Sequence, residues 1–110
     1  MAKAAYECLS KLPPFSRWRL PPANSIRFRI TNSATEFGSY DNPNGQHTIA
    51  ISRKLVNTGQ GLLCVMAHEV LHLHQRIACT ENSRSQHNKD FRRLALIVCK
   101  QMGYETRGFV

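Results

Sequence analysis

Five consecutive residues, His68, Glu69, Val70, Leu71 and His72, read HExxH. On a helix, a spacing of four puts both imidazoles on one face, one turn apart, where they can share a metal ion. Glu69 then stands beside them as a carboxylate that reaches a water without being a ligand. This is the set required for zinc-assisted hydrolysis, in which the cation lowers the pKa of a water to near neutrality and the carboxylate takes its proton during attack on a carbonyl. A catalytic zinc takes a third protein ligand and keeps its fourth position for water. His87, after fourteen intervening residues, is the leading candidate, and Asp90 and Glu81 are alternatives because carboxylates also ligate zinc. The expectation is one zinc ion per chain. His74 lies two residues beyond His72 and is rotated by about 200° from it, so it reads as a surface or packing histidine. His47 opens a strand and reads as structural. Tyr40 and Tyr104 are the phenols available to stabilise an oxyanion.

The pattern around the motif supplies the helix that the spacing needs. From about residue 59 to 77, Leu62, Leu63, Met66, Val70, Leu73 and Ile77 fall within an arc of about 100°, and Cys64, Val65 and Leu71 lie outside it. A helix apolar almost all round is central to its domain. Two histidines and a glutamate in its middle are costly to bury without a partner, and a metal supplies one. A second helix is expected over residues 87–102, with Ser85 as N-cap and Gly103 as its stop. Its buried stripe is Phe91, Leu94 and Val98, and His87 lies on the same face.

Upstream, Ile26, Phe28 and Ile30 alternate with Arg27, Arg29 and Thr31, the pattern of a half-buried strand over residues 25–31. Strands are also expected over 35–40 and 47–52, separated by the turn residues 41–45. The strand over 47–52 reads as an edge that could pair with an extended peptide. A short N-terminal helix over residues 2–12 would cover the core with Ala5, Leu9 and Leu12, and the double prolines of residues 13–24 make a loop pinned by Phe15 and Trp18. The fold class expected is α+β, with an N-terminal helix, a small three-stranded sheet, a central HExxH helix and a C-terminal helix.

With 110 residues there is room for one domain, spanning 1–110, with the helix and Pro-rich loop in 1–24 and the catalytic core in 25–103. A chain 42% hydrophobic is too apolar to be disordered, and no apolar run approaches the ~20 residues that cross a bilayer, so no membrane is expected as partner. The four cysteines are irregularly spaced and read as free thiols, and Glu7 and Lys11 interrupt the stretch where a signal peptide would be apolar. A cytoplasmic location follows as the expectation. The formal charge is +8, divided as +3 over residues 1–45 and +5 over residues 46–110, so no basic tail accounts for it. Such a field favours phosphate-rich partners. Arg17, Trp18 and Arg19, together with Arg27 and Arg29 on the polar face of the first strand, are the candidate nucleic-acid contacts.

The segments TIAISRKL (48–55), LLCVMAHEVLHLH (62–74) and HNKDF (87–91) together resemble the SprT-like zinc metallopeptidases. In that family a strand precedes the HExxH helix, and the next helix opens with a histidine followed four residues later by phenylalanine, an interval that His87 and Phe91 keep. Asn88 stands where the family commonly has glycine. The resemblance implies a minimal zincin-like fold, His68, His72 and His87 as zinc ligands, and Glu69 as general base. It further implies a zinc-dependent metalloprotease acting on a protein or peptide substrate, with DNA, especially single-stranded DNA, as a partner. The alternative is a non-catalytic, zinc-stabilised nucleic-acid-binding module. Glu69 discriminates between the two, because a purely structural zinc site has no use for a base.

Overall fold

Alternation in the first half of the chain and a helical period in the second give two layers. In the first, β1 (Arg27–Thr31), β2 (Gly38–Asp41) and β3 (Thr48–Ser52) form one sheet in the order β1-β3-β2. Strand β1 runs parallel and β2 antiparallel to β3. In the second, α1 (Ala2–Ser10) and α3 (Lys89–Met102) pack against the long α2 (Gly59–Ala78). The computed structural model describes residues 2–78, 89–104 and 109. The class is α+β as expected, and no described helix is long and apolar enough to cross a membrane.

Helix α2 starts at a side-chain cap: the Gly61 N–H donates to Thr58 Oγ1 at 2.9 Å, satisfying an amide that the first turn would otherwise leave open. Met66, Ala67, Val70, Leu71 and Leu73 are buried, and they form one core with Tyr6 and Leu9 of α1, Ile49 and Ile51 of β3, and Phe91, Leu94 and Val98 of α3. The register aligns Phe28, Ile49 and Tyr40 across the sheet, and likewise Ile30, Ile51 and Gly38. By the two-residue period these rows share the face turned to the helices. Arg27, Arg29, Thr48, Ala50 and Ser39 belong to the opposite face.

The structure corrects the expected strand order. Strand β3 is the centre of the sheet and not an edge, since Ala50 pairs with Arg29 on one side and Ser39 on the other. All five of its residues are buried, including the polar Thr48 and Ser52. Burial is short of expectation at element ends: Leu12 lies beyond the end of α1, Ile77 is exposed in the last turn of α2, and Ile30 is 58% exposed. Phe28 packs on Tyr6, whereas Ile30, farther along the edge strand, borders an open groove beside Leu62. Cys8, Cys64 and Cys99 are free thiols, as expected; Cys79 lies outside the described residues.

Candidate active site

The helix carries His68 and His72 to one side with ring centroids 5.0 Å apart. Two longer-range contacts orient the pair. Phe91, from the first turns of α3, stacks on His72 at 4.5 Å and meets His68 edge-on at 5.2 Å. The His68 ring also hydrogen-bonds through Nδ1 to the Phe109 carbonyl at 3.0 Å. A carbonyl only accepts, so Nδ1 carries the proton, and when the ring is neutral Nε2 is the nitrogen that can ligate. A hydrogen bond of this kind behind a histidine is what a metal-binding imidazole needs to fix its tautomer.

Glu69 is only 5% exposed. Burial first, and the Glu36 carboxylate second, push its carboxyl up to about 8. Strand β2 comes down over it at Gly38, where a Cβ would stand 2.8 Å from Val65 Cγ1, 2.9 Å from the Ala50 carbonyl oxygen and 3.4 Å from Glu69 Oε2. Only a residue without a side chain permits this approach. A glycine inside a strand pattern is a sign of such contact, and on that sign Gly38 was legible in the sequence. The role of the Phe109 carbonyl, 41 residues from His68, had no such signal.

Two clefts of different chemistry meet at His68 and Glu69. Toward the N-terminal half of α2 lies one of about 870 Å³, walled by Phe37, Cys64, Val65, Tyr104 and Phe109. Toward the C-terminal half lies one of about 380 Å³, walled by His72, Glu36, Tyr40, Asp41 and Arg76. The two phenols therefore separate, Tyr104 to the apolar cleft and Tyr40 to the polar one. Tyr40 Oη lies 2.7 Å from His47 Nδ1, which gives His47 a structural partner beside the cleft. Burial, then the positive charge of Arg76, lower the pKa of His47.

The remaining candidates are placed as follows. His74 stacks on Trp18, with ring centroids 4.3 Å apart and planes 13° from parallel, and so takes the packing role expected for it. Trp18 also meets Phe15 edge-on at 5.1 Å, so one of its faces and part of its edge are occupied within the protein. Arg17, Arg19, Arg27 and Arg29 are exposed. They are not brought together: Trp18 and its neighbours lie on the helix layer through His74, whereas Arg27 and Arg29 point from the opposite face of the sheet. Asp90 accepts from Gln75 Nε2 at 3.2 Å and pairs with Arg93 at 2.7 Å, which ties its carboxylate to α2 and to its own helix. His87, Glu81 and Ser85 lie outside the described residues, and among the described residues no three His, Cys, Asp or Glu side chains gather around one point. Two imidazoles on one face of α2 with a carboxyl adjacent are donors that would suit zinc.

A comparison with curated proteins gives no significant match. The model of the SprT-like family matches residues 5–108, from within α1 to beyond α3, and so takes in the whole sheet, both imidazoles and Glu69. A match over that much of the sequence makes this chain a member of the SprT-like family.

Proposed function

We propose that the protein is a zinc-dependent metallopeptidase of the HExxH type. The observation that carries the reading is the buried Glu69, held beneath β2 at the junction of two clefts and next in sequence to an imidazole whose tautomer is set for ligation. Among the described residues no hydrogen bond or ion pair calls for a carboxyl there, and a buried acid with a raised pKa suits a proton carrier. His68 and His72 would hold the metal, with His87 completing the set as the family resemblance implies. A bound zinc ion would supply Lewis acidity to a water and to the substrate carbonyl, and would favour the ionised form of Glu69.

Glu69 removes a proton from water as its oxygen bonds to the carbonyl carbon. The same carboxyl returns that proton to the amide nitrogen as the C–N bond breaks, so the products are an amine and a carboxylic acid, which then loses its remaining proton to solvent. The substrate backbone is positioned by β2. With β3 central, β2 is the strand beside Glu69 that pairs on one side only among the described residues, and an extended peptide can add to its outer edge through main-chain hydrogen bonds. Tyr40, which lines the polar cleft beside His72 and Glu69, would be the phenol that meets the carbonyl oxygen. Association with single-stranded DNA is supported by the charge of +8 and by the exposed Arg27 and Arg29. It is tested by a steep fall of binding with salt that flattens when both arginines are replaced.

The central test is Glu69→Gln beside wild type, each assayed for zinc content and for hydrolysis of β-casein with added zinc. The expected result is equal zinc and no hydrolysis by the variant. Undiminished hydrolysis by the variant would show that another base operates, and zinc-dependent folding without any hydrolysis would favour the non-catalytic binding module.

A further inference from the structure

We propose that the apolar cleft beside His68 and Glu69 is a substrate subsite that takes an apolar or aromatic side chain next to the scissile bond. The enzyme then selects peptide segments with Leu, Met or Phe at that position. The inference rests on the metallopeptidase reading and gives it a substrate class.

The two clefts lie in order along α2, the helix that frames the site. On α2, Cys64 and Val65 border the apolar cleft and precede His68 and Glu69, and Arg76 borders the polar one and follows them; across from the helix, Phe37 borders the apolar cleft and Tyr40 and Asp41 of β2 the polar one, which Glu36 also lines. A peptide lying along β2 therefore passes from one environment to the other at Glu69. Residues on one side of the scissile bond meet the apolar walls, and those on the other side meet Tyr40, Asp41 and Arg76. At about 870 Å³ the apolar cleft is in the range of sites that enclose organic ligands, and it has ample room for a large side chain.

Phe37 supports the assignment. It is 56% exposed, although its backbone is fixed: the Ser52 N–H donates to the Phe37 carbonyl at 2.8 Å. The loop before it is tied to the end of β3, with Ser52 Oγ donating to the Ser33 carbonyl at 2.7 Å and Arg53 Nε to Asn32 Oδ1 at 2.6 Å. An anchored loop that holds a large apolar ring at the rim of a cleft leaves a surface which a buried substrate side chain would cover. Removing such a side chain from water favours it over a charged one by roughly tenfold or more in kcat/KM.

The test maps cleavage sites by mass spectrometry in β-casein and in a degenerate peptide library, using zinc-loaded wild type, Phe37→Ala, Cys64→Trp and Glu69→Gln. Leu, Met and Phe should be enriched at one position flanking the cleaved bond, at least tenfold over Asp and Lys. Cys64→Trp fills the cleft and should shift the preference to small residues. Phe37→Ala changes an exposed residue, so it keeps the fold intact should the tryptophan not be accommodated, and it should weaken the enrichment. Glu69-dependent cleavage without apolar enrichment, or with enrichment the same in all the active variants, overturns the subsite and leaves the peptidase reading in place. Absence of any Glu69-dependent cleavage overturns the peptidase reading and the subsite with it.

Discussion

Replacing Gly38 with alanine tests whether β2 and α2 are as close as the site requires. The added Cβ would stand 2.8 Å from Val65 Cγ1 and 2.9 Å from the Ala50 carbonyl oxygen. Neither neighbour yields easily. Valine is stiff at χ1 in a helix, and the Ala50 carbonyl belongs to the central strand, held by ladders on both sides. Overpacking of this kind costs about 1–3 kcal/mol, whereas the narrower unfolded ensemble of alanine returns about 0.4–1 kcal/mol. The expected net loss is therefore roughly 1–2 kcal/mol, a fall in Tm of roughly 4–10 °C for a chain of this size. Gly59→Ala is the internal control. It sits at the start of α2 with nothing within 4 Å of the added Cβ, and it should be neutral or stabilising. Urea titration and thermal melts followed by circular dichroism measure both. Casein hydrolysis by Gly38→Ala should also fall, because the relief of the clash moves β2 away from Glu69. A Gly38→Ala protein as stable as Gly59→Ala would refute the close approach and the positioning of Glu69 built on it.

Other outcomes follow from the same contacts. In the metal-free protein the Glu69 carboxyl titrates at about 8 when folded against 4.5 as its ordinary value, so the stability it contributes is present below about pH 4.5 and is lost as pH rises toward 8. Metal-free wild type should lose stability relative to Glu69→Gln between pH 5 and 8 in urea melts, zinc should remove the difference, and parallel curves without zinc would refute the burial argument. Trp18→Ala should lower stability by about 2 kcal/mol, since a half-buried ring that packs on both Phe15 and His74 is lost; an unchanged Tm with weakened DNA binding would make Trp18 a nucleic-acid contact instead. His72→Ala should lose zinc in metal analysis while His74→Ala retains it, and equal zinc in both would remove His72 from the ligand set. Tyr40→Phe should lower kcat about 10²-fold with KM little changed if its hydroxyl meets the carbonyl oxygen, whereas an unchanged kcat would leave Tyr40 only a structural partner of His47.

The parts of this protein that the sequence by itself determined are those set by backbone periods. A rise of 3.6 residues per turn makes HExxH put two imidazoles on one side of α2, and the same period exposes the apolar surround that makes α2 central. The two-residue period likewise separates Phe28 from Arg27 and Arg29 on β1. Such patterns extend over a few residues and need no knowledge of the remaining chain. Tertiary structure alone decided what lies across from each face. Strand order put β3 in the middle and made β2 the edge beside Glu69, although the segment TIAIS reads as an edge strand. Closure of the chain brought the Phe109 carbonyl to His68, Trp18 to His74 and Asp90 to Gln75 and Arg93. None of these pairings, apart from Asp90 with Arg93, joins residues within one element, so no local period could register them. The hydrogen bond that orients the His68 ring and the clefts that flank Glu69 are products of those long-range contacts, which is why the HExxH motif was legible before its surroundings were.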